Sequence, residues 1–223
     1  MFVLSSGIGS ISCTSLTIRK IVCLHIVRRS NVMTTITVLT LKEYLAYDDG
    51  TDNRYELVDG KLIIMPPESN RNNLIALYLL SEFLKLVPIR LICHKDTEIV
   101  VTGNRTRVRM PDLLILTEEL FSAIGGRRAT ITPDMPSPVL AVEVVSPGKA
   151  NRDRDYRYKR SEYAARGIAE YWIVDPEFSQ VTILFLVDGL YEETVYKGDR
   201  AINSNILTQF SLTATQLFDD KNS

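Results

Sequence analysis

A nine-residue stretch, VLAVEVVSP at positions 139–147, constrains the fold more than any other feature of the sequence. A near-continuous apolar run of this length predicts a strand that is buried on both faces and lies in the middle of a sheet. Glu143 interrupts the run. A buried ionised carboxylate is costly unless it pairs with a cation or binds a metal ion. The strand therefore holds either a structural ion pair or a residue that takes part in chemistry.

The hydrophobic pattern of the other segments predicts helices interspersed with strands. Helices are predicted over 40–48, 69–87, 118–125, 151–167 and 213–220. One or two strands are predicted over 90–104, and further strands over 107–117, 139–146 and 169–176. Two hairpins are predicted to turn at Asp59-Gly60 and Asp188-Gly189. Asn151 is the predicted N-cap of the fourth helix, and Gly167 is its predicted end. This order predicts an α/β fold: a mixed sheet flanked by helices, extended at either end by the β-hairpins.

Length and composition are those of one ordered domain rather than a disordered or membrane-spanning chain. The chain has 223 residues, 45% of them hydrophobic, and its formal net charge of −1 selects neither nucleic acid nor a membrane surface. Three cysteines without close spacing argue against a disulfide framework and a zinc site, and they favour a reducing, cytoplasmic setting. The sequence contains no run of about 20 apolar residues, so no membrane span is predicted.

The first 32 residues differ from the rest, because they contain no acidic residue and show little periodicity. The sequence from Met33, MTTITVLTLKEYLAY, has the pattern of an ordinary protein start with a helix capped by Thr40. We therefore predict that residues 1–32 are a non-native or disordered N-terminal extension. Residues 33–223 are predicted to form the single domain.

Two carboxylates lie on apolar strands that can be neighbours in the sheet. Asp112 opens the strand in MPDLLIL, and Glu143 follows about thirty residues later on another strand. Two like charges this close need a cation between them, or one of them must stay protonated. Mg²⁺ prefers oxygen ligands and usually takes one or two carboxylates together with waters. The pair predicts a magnesium site, with Mn²⁺ as a possible substitute; the alternative is that each acid is satisfied by basic side chains or backbone donors.

A polar stripe runs along the helix predicted over 151–167. Asp155, Lys159 and Tyr163 are four residues apart and share one face. If this face points inward, Lys159 reaches the two carboxylates, where it can orient an attacking water or stabilise charge on a phosphorane. The alternative is an ordinary surface ion pair between Asp155 and Lys159. Glu56, in RYELVDG, is a third acidic candidate on an early strand.

These segments together resemble the Uma-type putative restriction endonuclease family, within the PD-(D/E)XK nuclease superfamily. The matching stretches are YELVDGKLIIMPP, MPDLLIL, VEVVSP, the Asp155–Lys159–Tyr163 stripe and GIAEYWIVDP. They run in this order from about residue 38 to the C-terminus. No single stretch is specific, but the ordered set is.

The resemblance implies a restriction-endonuclease-like fold and magnesium-dependent hydrolysis of DNA phosphodiester bonds. It implies that Asp112 and Glu143 bind the metal ion and that Glu56 and Lys159 complete the catalytic set. The superfamily usually places its lysine two residues after the glutamate, where this chain has Val145; the Uma-type pattern moves the lysine to the next helix. Asn72 also departs from the family, which often has a histidine there.

Three arginines alternate in NRTRVR: Arg105, Arg107 and Arg109. On a strand all three point to one face, so they predict a nucleic-acid-binding stripe, to which Lys149 would add. The alternative is a solvated edge strand whose charges discourage aggregation.

The sequence lacks the common motifs of nucleotide-binding proteins and of serine hydrolases. It contains no phosphate-binding glycine loop with its lysine, no dinucleotide fingerprint and no Gly-x-Ser-x-Gly elbow, so no nucleotide cofactor is expected. Cutting both strands of a duplex needs two sites, so a homodimer is expected. Two alternatives stay open: a catalytically weak or inactive module that binds nucleic acid or protein, and a phosphoesterase that acts on RNA.

Overall fold

The computed structural model describes residues 38–101, 106–126 and 128–219. The predicted extension at 1–32 and Arg105 lie outside these ranges. The helices are α1 (Leu41–Leu45), α2 (Asn70–Phe83), α3 (Glu118–Ile124), α4 (Lys149–Asp153), α5 (Arg160–Arg166) and α6 (Ala214–Leu217), with a 3₁₀ turn at Ile89–Leu91 and a π-helical segment at Arg154–Lys159. In the described part of the chain, no helix is long and apolar enough to cross a bilayer.

The strands form two mixed sheets. They are β1 (Tyr55–Val58), β2 (Lys61–Ile64), β3 (Ile92–His94), β4 (Glu98–Val101), β5 (Arg107–Arg109), β6 (Leu113–Ile115), β7 (Thr130–Ile131), β8 (Leu140–Val144), β9 (Glu170–Asp175), β10 (Gln180–Val187) and β11 (Leu190–Lys197). The first sheet has the order β2-β1-β5-β4-β7, and the second has the order β11-β10-β9-β8-β6-β3. The predicted α/β class, with mixed sheets flanked by helices, is confirmed.

Strand β8 occupies the middle of the second sheet, as its apolar sequence predicts. It pairs antiparallel with β6 and parallel with β9. One face of β8, with Leu140 and Val142, packs in a core cluster that includes residues of α2. The other face, with Ala141, packs in a second cluster with Tyr163 of α5. Because side chains alternate along a strand, Glu143 shares the face of Ala141 and points toward α5 and the π-helical segment.

The prediction of one strand over 107–117 is wrong in its extent. The chain breaks at Met110-Pro111, so β5 joins the first sheet and β6 joins the second. Proline lacks the N–H that a continuous ladder requires, which explains the position of the break. As a consequence, the hairpin of β1 and β2 does not extend the central sheet but belongs to a separate one.

The helical path that carries Lys159 differs from the predicted uninterrupted helix. It begins at Lys149 with Gly148 as N-cap, and Asn151 is not the cap: its side-chain amide donates to the carbonyl of Pro147 at 2.7 Å. The middle of the path, Arg154–Lys159, is π-helical. Such segments are rare and occur frequently at functional sites. The path ends before Gly167, as predicted.

Both predicted hairpin turns form with positive φ at their two central residues, as a type I′ turn requires. A Cβ at Gly60 (φ +79°) would lie 2.0 Å from Cγ1 of Val38, whereas a Cβ at Gly189 (φ +81°) would meet nothing within 4 Å. Alanine at Gly189 would therefore meet only backbone strain, whereas alanine at Gly60 would meet the same strain and a steric clash.

We expect Gly60→Ala to lower the free energy of unfolding more than Gly189→Ala does. Gly189→Ala should cost about 1–2 kcal/mol from the left-handed backbone alone, and the clash at Gly60 should add roughly 1–3 kcal/mol. Urea unfolding followed by the fluorescence of the single tryptophan, Trp172, measures both. Equal losses for the two variants would contradict the packing described at Gly60.

Candidate functional site

The ammonium group of Lys159 lies at the centre of a group of buried carboxylates. Its Nζ is 2.7 Å from Oε2 of Glu143, 3.5 Å from Oδ1 of Asp155 and 3.7 Å from Oε1 of Glu56. Lys159 and Asp155 are each 1% exposed and Glu143 is 4% exposed. The structure thus turns the predicted polar stripe inward, and the alternative of a solvated surface pair does not describe it.

Glu143 is fixed at both oxygens. Oε2 pairs with Lys159, and Oε1 accepts a hydrogen bond of 2.6 Å from the hydroxyl of Tyr163 on α5. The ring of Tyr163 packs edge-on against Tyr171 of β9. Tyr163 therefore packs in the core through its ring, and its hydroxyl group orients the carboxylate of Glu143.

Asp112 approaches from the neighbouring strand. It precedes β6, and its Oδ2 accepts a 2.7 Å hydrogen bond from the backbone N–H of Val144, the residue after Glu143. Its own N–H donates to the carbonyl of Val142 at 3.1 Å. These two bonds attach Asp112 to β8 on either side of Glu143, so the sheet pairing itself sets the position of one acid relative to the other.

A cavity of about 360 Å³ opens at this point, a size in the range of small-ligand sites. Asp112, Glu143 and Lys159 line it, together with Lys95 and Arg154. Glu56, which also belongs to the described part of the chain, does not line the cavity. Three of the four predicted catalytic residues thus line one cavity. The fourth, Glu56, lies outside it and contacts Lys159.

The acids that line the cavity resist ionisation. Burial raises the pKa of Glu143 to about 8, and the nearby charges of Asp155 and Asp112 add to this shift against the opposing effect of Lys159. Burial also raises the pKa of Asp112, although the N–H of Val144 and the charge of Lys159 oppose it. Both acids therefore ionise less readily than free carboxyl groups do.

Lys159 behaves in the opposite way. Burial alone would lower the pKa of its ammonium group, but the charges of Glu143, Glu56 and Asp155 outweigh burial and raise it. Lys159 is accordingly a permanent cation at neutral pH. It can donate hydrogen bonds and stabilise negative charge, but it cannot accept a proton.

Glu56 belongs to a chain of ion pairs that reaches the first sheet. Its Oε2 accepts from Arg109 at 2.8 Å, and Oε1 accepts from the N–H of Met110 at 3.3 Å. Burial opposes the ionisation of Glu56, but Lys159 and Arg109 outweigh burial and lower its pKa. Arg109 also binds both oxygens of Glu162, at 2.7 and 3.0 Å. Glu56 therefore holds Lys159 and Arg109 in place.

The two described arginines of the predicted nucleic-acid-binding stripe bind a carboxylate of α5, and only Arg107 stays partly exposed. Arg107 and Arg109 do share a face of β5, but that face turns inward, and both guanidinium groups bind Glu162. Arg109 is 3% exposed, so it is not accessible to a phosphate. Arg107 also donates to Asp59 at 2.8 Å. Lys149 is exposed at the first residue of α4.

The two departures from the family pattern have structural roles. Val145 occupies the position where the superfamily usually has its lysine. Its side chain is buried in the core cluster that also contains Tyr163 of α5. Asn72 is buried as well, and its side-chain amide donates to the carbonyl of Val145 at 3.2 Å. This bond attaches the first turn of α2 to the strand that carries Glu143.

The cavity offers two carboxylates, those of Asp112 and Glu143, as candidate ligands for a metal ion. Within residues 38–101, 106–126 and 128–219, no group of three or more His, Cys, Asp or Glu side chains is arranged to hold an ion. Asp112 and Glu143 offer hard oxygen ligands at the wall of an open cavity. Mg²⁺ typically takes one or two carboxylates and keeps several waters. The donor set therefore fits Mg²⁺ or Mn²⁺.

Sequence reasoning missed four charged residues that line the cavity: Arg54, Glu68, Lys95 and Arg154. Arg154 binds Asp155 at 3.0 Å, and Lys95 contacts Glu68 and Asn73. Their sequence separation from the acids gave no periodic signal. The one available signal was Pro66-Pro67, which ends β2 and sends the chain across the cavity wall.

Removing Arg109 should destabilise the protein strongly, because Glu56 and Glu162 would stay buried without their common cation. We expect Arg109→Met to cost about 3–5 kcal/mol of unfolding free energy. Arg107→Met is the matched control: Arg107 is partly exposed, and Glu162 keeps Arg109 as a partner. Its cost should be about 0–1 kcal/mol. Urea unfolding followed by Trp172 fluorescence compares the two, and similar costs would contradict this network.

Comparisons with known proteins identify the family and the fold. The family model described as "Uma2: Putative restriction endonuclease" matches residues 41–215. A putative nuclease belonging to DUF820 from Anabaena variabilis, known from a crystal structure, superposes with a TM-score of 0.60 and 17% sequence identity, over 81% of this chain and 97% of that chain. This likeness shows that the two proteins share a fold. A comparison with curated proteins found no match. Because the family model covers most of the chain, including Glu56, Asp112, Glu143 and Lys159, the protein belongs to the Uma2 family, as its motifs predicted.

Proposed function

We propose that this protein is a metal-dependent nuclease that hydrolyses phosphodiester bonds of DNA in the cavity lined by Asp112, Glu143 and Lys159. The family and the fold support a nuclease. The observation that carries the proposal is the Lys159 ammonium, 2.7 Å from Glu143 at the wall of a cavity that also contains Asp112. DNA as the substrate rests on the family description, since restriction endonucleases cut DNA.

Asp112 and Glu143 would hold Mg²⁺, for which Mn²⁺ can substitute. When bound, the ion polarises the phosphate and lowers the pKa of a bound water. Tyr163 and Lys159 fix the carboxylate of Glu143, and the N–H of Val144 fixes that of Asp112. The acids are therefore preorganised, which limits the cost of positioning them during the reaction.

Lys159 would orient the attacking water and stabilise the negative charge that develops on the phosphate. Its raised pKa makes it a donor of charge and hydrogen bonds, not a general base. Asp155 and Glu56 hold the ammonium from two other directions. We expect a homodimer, because cutting both strands of a duplex often takes two such sites. We also expect a cytoplasmic location, because the three cysteines lack the close spacing of a disulfide framework.

Replacement of Glu143 or Lys159 should abolish hydrolysis. We expect Glu143→Gln and Lys159→Met to reduce Mg²⁺-dependent nicking of supercoiled plasmid by at least about 10²–10³-fold, the loss typical of removing a group that stabilises the transition state. The control pair is Glu82→Gln and Lys85→Met, which replaces an exposed ion pair near the end of α2. These two variants should cleave as the wild type does.

Trp172 fluorescence melts are needed to show that every variant is folded. If wild type cleaves neither DNA nor RNA with Mg²⁺ or Mn²⁺, the nuclease proposal is wrong, and a binding module of the same fold replaces it. If RNA is cut and DNA is not, the substrate assignment alone is wrong.

Metal affinity should rise with pH. Burial raises the pKa of both Glu143 and Asp112, and at neutral pH a proton on Glu143 competes with the ion for that carboxylate. Below the pKa of Glu143, which is about 8, displacement of its proton should make the Mg²⁺ affinity rise about tenfold per pH unit. Titration calorimetry at pH 6 and above pH 8, in buffers of different ionisation enthalpy, measures both the affinity and the proton release. An affinity that does not change with pH would show that these acids do not bind the ion.

A further inference from the structure

We propose that Lys95 forms a second phosphate-binding subsite in the same cavity, and that Glu68 occupies this subsite when nucleic acid is absent. The subsite would hold a backbone phosphate next to the one that is cleaved. The inference rests on the proposed function, because it requires a nucleic-acid strand in this cavity.

Lys95 lies at the cavity wall beside Asp112. Its backbone N–H donates to the carbonyl of Asp112 at 3.1 Å, at the point where β3 and β6 end their pairing. Its side chain is 12% exposed, and its ammonium group contacts the carboxylate of Glu68 and the side-chain oxygen of Asn73, the latter at 3.0 Å. The backbone of Lys95 is thus bonded to Asp112, a proposed metal ligand, and the ammonium group of the same residue lines the cavity.

The turn at Lys95 places this residue in an unfavourable backbone conformation. Lys95 has φ +59°, a left-handed conformation that a residue with a long side chain rarely adopts. The side chain of Arg54 braces this turn, because it donates to the carbonyl of Lys95 at 3.1 Å. A simple connection between strands would favour glycine or asparagine at this position. Strained residues that the surroundings hold in place cluster at ligand-binding sites.

Glu68 is suited to act as a stand-in for phosphate. It lies in the segment between β2 and α2, and it lines the same cavity wall. A carboxylate and a phosphate oxygen make the same charge-assisted hydrogen bonds to an ammonium group. A mostly buried ion pair is weak evidence for a stabilising role, because desolvation offsets much of its attraction. Exchange of Glu68 for a phosphate would preserve the pairing of Lys95 when a strand enters.

The two residues of the pair should therefore have opposite effects on DNA binding. Lys95→Met removes a phosphate contact, so it should weaken binding about tenfold or more and reduce the slope of log K against log salt by about 0.9 for a duplex. Glu68→Gln removes the competitor, so it should strengthen binding severalfold. In the double variant the gain from Glu68→Gln should disappear, because its target is missing.

The experiment measures fluorescence anisotropy of a labelled DNA duplex across a series of NaCl concentrations in EDTA, so that no hydrolysis occurs. Lys85→Met and Glu82→Gln are the matched controls and should leave affinity and slope unchanged. Lys95→Arg keeps the positive charge and should retain most of the binding. Trp172 fluorescence checks that each variant is folded.

Three outcomes would overturn the subsite. They are a Lys95→Met variant that binds like Lys85→Met, a Glu68→Gln variant that weakens binding as Lys95→Met does, and a wild type that binds no duplex. If Lys95→Met fails to fold, the sign of the Glu68→Gln effect decides. If the protein cleaves DNA but the Lys95 and Glu68 variants bind it as the wild type does, the proposed function stands and the subsite is wrong. If the variants change binding as expected but the wild type does not cleave, the subsite stands and the proposed nuclease function is wrong.

Discussion

The buried ammonium of Lys159 is the interaction on which the site depends. It lies where β1, β8 and the π-helical segment meet, and each of these elements contributes a carboxylate to it. A charge this deeply buried is tolerated only because the carboxylates surround it, and an acid that lost this cation would remain buried and uncompensated. The same contacts that make the lysine a permanent cation therefore fix the geometry of the acids around it.

This arrangement also explains how the two sheets can serve one site. The carboxylate of Glu56 comes from the first sheet, and Asp112 and Glu143 come from the second. Glu162 of α5 binds Arg109 of the first sheet, and Tyr163 of the same helix donates to Glu143 of the second sheet, so α5 is attached to both sheets. The break at Pro111 makes this possible, because it lets consecutive segments of the chain enter different sheets. A continuous strand over 107–117 would have kept Arg109 and Asp112 in the same sheet.

The sequence predicted several of the side chains that meet at the site, but it did not predict the contacts that support them. Glu143 stood out because a carboxylate in an apolar strand needs a partner, and Lys159 stood out because helical spacing placed it with Asp155 and Tyr163. These are local signals. Arg109 was misplaced because alternation along a strand tells which residues share a face, and it does not tell whether that face turns to solvent or to another element. Its partner Glu162 lies 53 residues away, and no short-range pattern connects them. Lys95 had no signal at all, since its importance arises from a turn whose φ only the folded chain reveals.

The environments of the acids divide them into two roles. Glu56 has a lowered pKa because Lys159 and Arg109 stabilise its charge, so it stays ionised and acts as a fixed anion. Glu143 and Asp112 have raised pKa values because burial, with the nearby charge of Asp155, exceeds what Lys159 compensates. Pairs of titratable groups whose pKa values are pushed apart commonly mark a division of labour in an active site. The fixed anion is excluded from the cavity wall and the two adaptable acids line it. An incoming divalent cation would then replace protons instead of adding charge to a saturated cluster, and Lys159 would keep its position because Glu56 does not change its own.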